Sequence, residues 1–166
     1  MKQQEKKYRV VSFDDIIKTL NVAGAKPDKE SASDHYYARQ PANDVVKLVV
    51  HGDNAAIHRL KEQAGKFDLV EKIPMANTQA GMQWLKQQGY KTADLVHMVS
   101  LDYPYRGGIV GLYTINEVLR SVILDFPEGQ HEEIEAELGL QTAERIKIPY
   151  NKYLEELGTI QTIEIS

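Results

Sequence analysis

The chain has no cysteine among its 166 residues. Disulfide frameworks, thiolate zinc sites, iron–sulfur clusters and cysteine nucleophiles are thereby excluded together, and any chemistry must rest on oxygen and nitrogen groups. Nor is there an excess of charge of one sign: 20 Lys and Arg stand against 24 Asp and Glu, for a net charge of −4. That balance gives no long-range attraction to nucleic acid or to an anionic lipid surface, so neither DNA nor a membrane is an expected partner. Nowhere do about 18 apolar residues run together, and the polar start from Met1 to Lys7 has no apolar run behind it. The cytoplasm is the expected compartment. A Walker loop and a G-x-G-x-x-G turn are both missing, and Gly107-Gly108 reads as a hairpin turn rather than a phosphate cradle. The histidines, His35, His51, His58, His97 and His131, show neither H-x-H nor H-E-x-x-H spacing, which disfavours a zinc or nonhaem iron site.

What the chain does have is a hydrophobic content of 42%, enough for one domain over residues 1–166 with its own core. Lys7 to Val11 reads as a strand. Phe13 to Ala23 reads as an amphipathic helix capped by Ser12 and stopped by Gly24. Pro27 to Ser33 reads as a polar loop. Strands are expected over Asp34 to Arg39, Val45 to His51 and Phe67 to Ile73, and also over Ala55 to Lys61, where a helix capped by Asp53 is the alternative. Thr78 is placed to cap a second helix, Gln79 to Gln88. Three β-branched segments follow, Asp94 to Tyr103, Gly108 to Ile115 and Val118 to Phe126. Glu128 to Leu138 reads as a helix ended by Gly139, Thr142 as the start of another that Pro149 limits, and Thr159 to Ile165 as a last strand.

The order repeats. One helix ends in Gly24-Ala25-Lys26 and leads to Asp34-His35-Tyr36-Tyr37-Ala38-Arg39; the other ends in Gly89-Tyr90-Lys91 and leads to Asp102-Tyr103-Pro104-Tyr105-Arg106. A period of about 70 residues is too long for a solenoid and suggests two equivalent halves around one centre. The five tyrosines Tyr36, Tyr37, Tyr103, Tyr105 and Tyr113 suit either ordinary strand packing or the lining of a cavity for an aromatic or nucleotide ligand.

Several runs, in this order, resemble the CYTH family, the triphosphate tunnel metalloenzymes that include class IV adenylate cyclase and thiamine triphosphatase. Gln3-Gln4-Glu5-Lys6-Lys7-Tyr8-Arg9-Val10 is similar to the family's ExExK start, with Gln3 in place of the first Glu. Gly24-Ala25-Lys26 followed by Asp34-x-Tyr36-Tyr37 resembles its GAK and D-x-Y-F runs. Leu85-Lys86-Gln87-Gln88-Gly89-Tyr90 resembles its LxxLGF, and Leu138-Gly139-Leu140 with Ile148-Pro149-Tyr150-Asn151-Lys152-Tyr153-Leu154 resembles its LGL and SYxxLL. The resemblance spans Gln3 to Leu157. It implies an α+β fold in which an antiparallel, tunnel-like β-barrel of two pseudo-repeated halves is flanked by helices.

The resemblance also implies a ligand, a nucleotide or other phosphorylated small molecule, together with Mg²⁺ or Mn²⁺ held by inward carboxylates. On a strand, residues i, i+2 and i+4 share a face, so Gln3, Glu5, Lys7 and Arg9 line one side. Carried over position by position, the phosphate contacts are Lys7, Arg9, Lys47 and Arg59 or Lys61, and the metal ligands are Glu5 and Asp125. The family's R-x-R strand falls on Lys47-Leu48-Val49 and its R-x-E-x-E strand on Lys66 to Glu71, where simple alternation cannot put Asp68 and Glu71 on one face. Its K-x-R strand becomes Met98-Val99-Ser100 and its LD becomes Leu112-Tyr113. The E-I-E strand aligns with Ile123-Leu124-Asp125 in preference to Glu133-Ile134-Glu135. A second half this poor in charge argues against ordinary triphosphate turnover, because a triphosphate brings about four negative charges that need partners. Two functions stay open: ligand binding with metal-dependent phosphohydrolase or cyclase activity, and a noncatalytic ligand-binding or protein-interaction module on the same scaffold.

Overall fold

The computed structural model describes residues 3–166. Its elements run twice through one pattern of strand, helix and three strands. The first pass is β1 (Gln3–Val10), α1 (Asp14–Val22), β2 (Lys29–Ala38), β3 (Val45–His51) and β4 (Asn54–Gln63). The second is β5 (Lys66–Met75), α2 (Thr78–Gln87), β6 (Thr92–Tyr105), β7 (Gly108–Ile115) and β8 (Leu119–Pro127). Then come α3 (His131–Leu138), β9 (Glu144–Ile146), α4 (Tyr150–Glu156) and β10 (Gln161–Glu164). The strands follow the order β5-β4-β3-β2-β6-β7-β8-β1-β9, with β10 on β6, and the fold is α+β with antiparallel pairing.

The repeat extends to the way each helix stops. Leu20 and Leu85 are wholly buried, and their carbonyls accept bonds from Ala25 N at 2.9 Å and Tyr90 N at 3.2 Å. Between them the chain turns through Gly24 at φ 80° and Gly89 at φ 94°, a left-handed conformation that glycine adopts without a steric penalty. The shared Gly-x-Lys signature therefore encodes a helix exit.

Two compact units can be distinguished. In the first, residues up to Ser31 together with Val99–Lys147, strands β7, β8, β1 and β9 lie side by side. Alternation sends Tyr8, Val110, Leu112, Val122, Leu124 and Phe126 to one face, where Ile16 and Leu20 of α1 and Ile134 and Leu138 of α3 cover them. Each such side chain, fully buried, contributes roughly 1.5–3 kcal/mol. In the second unit, Ala32–Met98 with Ile148–Ser166, the apolar face of β3 and β4 carries Val46, Leu48, Ala55 and Ile57 under Leu85 of α2. Gly81 is needed there, because a β-carbon on it would run into the Leu48 side chain. The C-terminal segment is tied in by Asp94, 1% exposed, which accepts bonds from Arg39 Nη1 (2.8 Å), Asn151 Nδ2 (2.9 Å) and Thr162 Oγ1 (2.7 Å).

Some expectations need correction. Pro27 to Ser33 is no loop beyond Asp28, since β2 begins at Lys29. Ser12 and Thr78 are not the caps: α1 starts after Phe13, with Ser12 Oγ accepting from Asp14 N at 3.1 Å, and α2 is capped by Asn77, whose Oδ1 accepts from Ala80 N at 2.8 Å. Thr142 opens no helix. The chain instead pairs briefly as β9 with β1, and Pro149 precedes α4, where its fixed φ of −57° suits a helix entrance. Asn54 to Gln63 is strand throughout.

Candidate functional site

The face of unit 1 turned away from its helix-covered core is polar. Register places Glu5 directly opposite Asp125, Lys7 opposite Ile123 and Arg9 opposite Ser121, while Asp125, Ile123 and Ser121 oppose Ile109, Gly111 and Tyr113 on the other side. Opposed residues in antiparallel strands share a face with β-carbons about 4.5–5.5 Å apart. Glu5 and Asp125 are therefore neighbours. Burial lowers the Lys7 ammonium to a pKa of about 8, against the opposing pull of the Glu5 charge. Glu133 and Glu135 instead lie on α3, where Glu135 accepts a short bond from the Tyr8 hydroxyl on the core side.

Two further side chains complete this face. A β-carbon at Gly111 would stand 2.7 Å from the Tyr113 ring and 3.2 Å from Asp102 Oδ1, so Gly111 leaves the space in which both side chains sit. Burial raises the Asp102 carboxyl above its ordinary pKa; the Lys29 charge opposes that rise, while Asp28 and Asp125 add to it. Tyr113 is pushed up to about 12 by burial first and then by the charges of Asp102 and Glu5. Motif comparison puts Leu112-Tyr113 at the family's LD position, without its carboxylate, and keeps Asp125 in this half. Asp102 restores one, two residues past Ser100 and in phase with it, a signal the alternation of β6 does carry.

The corresponding face of unit 2 is basic and aromatic. Two cross-strand rows run over β2, β3, β4 and β5: Tyr37, Lys47, His58 and Lys72 in one, His35, Val49, Ala56 and Pro74 in the next. Lys47 Nζ lies 4.9 Å from the centre of the Tyr37 ring and 3.4 Å from its hydroxyl. His35 shares a 2.8 Å hydrogen bond with the Ser33 hydroxyl, while its buried Nδ1 has no hydrogen-bond partner among the described residues. Burial, then Lys47, His58 and His97, lowers the His35 pKa to about 2; burial, Lys47 and Lys72 lower that of His58 to about 4. Both rings are thus neutral at pH 7, and Lys47 and Lys72 supply the positive charge of these rows. His97 Nδ1, at 2.7 Å from Asp34 Oδ1, lies nearby on β6.

Arg59 and Lys61 fall elsewhere. Arg59 faces with Val46, opposite to His58, and is ion-paired to Glu71 at 3.4 Å. A register slip between Arg59 and Leu60 makes Val70 an extra residue, so Asp68 and Glu71 oppose Lys61 and Arg59, which share a side of β4. Strict alternation had separated those two acids; a bulge is what reunites them. Of the tyrosines, Tyr103 and Tyr105 belong to the core and Tyr36 packs against it, whereas Tyr37 and Tyr113 reach the polar faces.

Among the described residues no three His, Asp or Glu side chains converge as a complete cage for a metal ion. Mg²⁺, however, keeps several waters and takes one or two carboxylates plus substrate phosphates, all oxygen donors. The Glu5–Asp125 pair fits that pattern.

This arrangement of strands is an α+β fold known from solved structures. A Pyrococcus furiosus protein matches with a TM-score of 0.74 at 12% identity over 90% of this chain and 98% of its own. A Pyrococcus horikoshii protein matches at 0.72 and 15%, over 86% and 94%. A Vibrio parahaemolyticus protein named "putative adenylate cyclase" matches at 0.64 and 12%, over 92% and 97%. No family model and no curated protein matches the sequence. The chain thus has the CYTH-like fold that its motif order suggested, in a far-diverged sequence. Among the described residues no helix is long and apolar enough to cross a membrane.

Proposed function

We propose that this chain binds a nucleotide or other phosphorylated small molecule, with Lys7 and Arg9 contacting phosphate and Glu5 and Asp125 holding Mg²⁺ or Mn²⁺. The observation that carries the reading is the directly opposed Glu5–Asp125 pair beside partly buried Lys7. Two carboxylates on one strand pair supply the oxygen donors a hard divalent cation prefers, and the neighbouring ammonium supplies a positive charge for phosphate oxygen. A divalent ion bound there would neutralise phosphate charge and polarise a phosphoryl oxygen, the basis of phosphohydrolase or cyclase chemistry. Tyr113, kept protonated, is a hydrogen-bond donor at neutral pH, and Lys7, lowered to about 8, is mostly charged there.

The test is phosphate or pyrophosphate release from ATP, inorganic triphosphate and thiamine triphosphate with either metal, alongside thermal shift with the same ligands. A ligand-dependent rise in Tm and metal-dependent turnover that Glu5→Gln removes are expected. No shift and no turnover with any of them would refute the proposal. The noncatalytic reading is favoured by one observation, the neutral His58 that stands between Lys47 and Lys72 on unit 2. A thermal shift without turnover would select it.

A further inference from the structure

On unit 2 the rows around His58 frame a groove of about 410 Å³, a volume suited to a small organic molecule. Its walls are banded. At one end stand His58 and Lys72, directly opposed across β4 and β5; in the middle lie Val49, Ala56 and Pro74; at the far end the β3–β4 hairpin adds His51 and Asn54. Successive same-face rows are about 6.8 Å apart, so head and middle together span about one substituted aromatic ring.

His58 and Lys72 make no hydrogen bond or ion pair among the described residues. Two adjacent nitrogen donors without an acceptor, one of them a permanent cation, match a single anionic group. The middle band has no hydrogen-bonding side chain, and an apolar body laid over it loses water on both sides. Lys47, next in the row to His58, adds a second permanent cation. A phosphomonoester carries about −1.5 to −2 at neutral pH, a charge these two lysines balance, whereas a triphosphate would bring roughly twice as much to rows that hold no other permanent cation.

We propose that the groove on unit 2 binds an organic phosphomonoester with a flat apolar body, its phosphate between His58 and Lys72 and its body over Val49, Ala56 and Pro74. This site lies on unit 2, whereas the Glu5–Asp125 pair lies on unit 1, and so it goes beyond the reading above. The experiment is calorimetric titration of the full chain, without metal at pH 7, with phenyl phosphate, inorganic phosphate and inorganic triphosphate, followed by NMR of the histidine ring protons. Phenyl phosphate is expected to bind at least tenfold more tightly than inorganic phosphate, to shift the His58 resonances, and to weaken at least tenfold with Lys72→Ala, a change at an exposed position. Equal affinity for the two phosphates, or an unaffected Lys72→Ala variant, overturns the assignment. If inorganic triphosphate binds while phenyl phosphate has no advantage, only this inference falls; if none of the three binds and no triphosphate binds with metal, the proposed function falls with it.

Discussion

In unit 1 the polar face gathers Glu5, Asp125 and Asp102 around Lys7 and Tyr113; in unit 2 it sets Lys47 and Lys72 about His35 and His58 in rows that hold no carboxylate. Both faces lie on the reverse of an apolar sheet side, and both come from the same strand–helix–strand plan. The plan prescribes that a second face exists and stays off the helices. It does not prescribe the charge placed there. One face carries mainly carboxylates and the other amines and imidazoles, and each holds residues whose protonation is displaced by burial.

The contrast can be broken from either side. The largest effect is expected from Gly111→Ala, whose new β-carbon would meet the Tyr113 ring at 2.7 Å. It should cost about 1–3 kcal/mol in chemical denaturation and remove metal-dependent turnover, while phenyl phosphate binding on unit 2 persists. Loss of both functions in a folded variant would show that the faces are not separable. Next, Lys47→Ala should weaken phosphate binding by about tenfold or more, as expected for a charge-assisted bond, with divalent-metal affinity unchanged in a direct titration.

The histidines predict how stability responds to acid. His35 and His58 stay neutral in the native state to pKa values of about 2 and about 4, whereas in the unfolded chain they protonate near 6.5. The unfolded state therefore binds more protons as pH falls below about 6.5, and stability drops with falling pH until the native values are reached. His35→Gln should flatten this acid limb in a pH series of urea melts. An unchanged slope would mean that the ring is already charged in the native protein. The smallest effect belongs to Asp102, whose raised pKa makes its charge unfavourable in the fold at neutral pH. Asp102→Asn should raise Tm slightly at pH 7, and the gain should shrink as the pH falls and the native carboxyl takes up its proton.

How far the sequence could be read depended on whether the information was local. Gly24 and Gly89 mark their helix exits because a left-handed residue is a local demand, and alternation along Gln3 to Val10 is enough to put Glu5, Lys7 and Arg9 on one side. Motif order singled out Glu5 and Asp125 as candidates, but their direct opposition is a matter of register between β1 and β8. Phase was harder. Asp34 shares its side of β2 with Tyr36, which packs on the core, whereas Asp102 lies opposite in phase to core Tyr103, so two matching Asp-Tyr runs send their acids to different faces.

By itself the sequence determined the chemistry available, carboxylates, amines and imidazoles without a thiol, and the alternation of helix and strands, since composition and local conformational preference act within a few residues. Only the tertiary structure decided which of those groups meet. Register across strands placed Asp125 against Glu5 and Lys72 against His58, and a single bulged residue at Val70 brought Asp68 and Glu71 opposite neighbouring cations. One residue of slip reverses every side chain on a strand, and no local rule records where that slip falls.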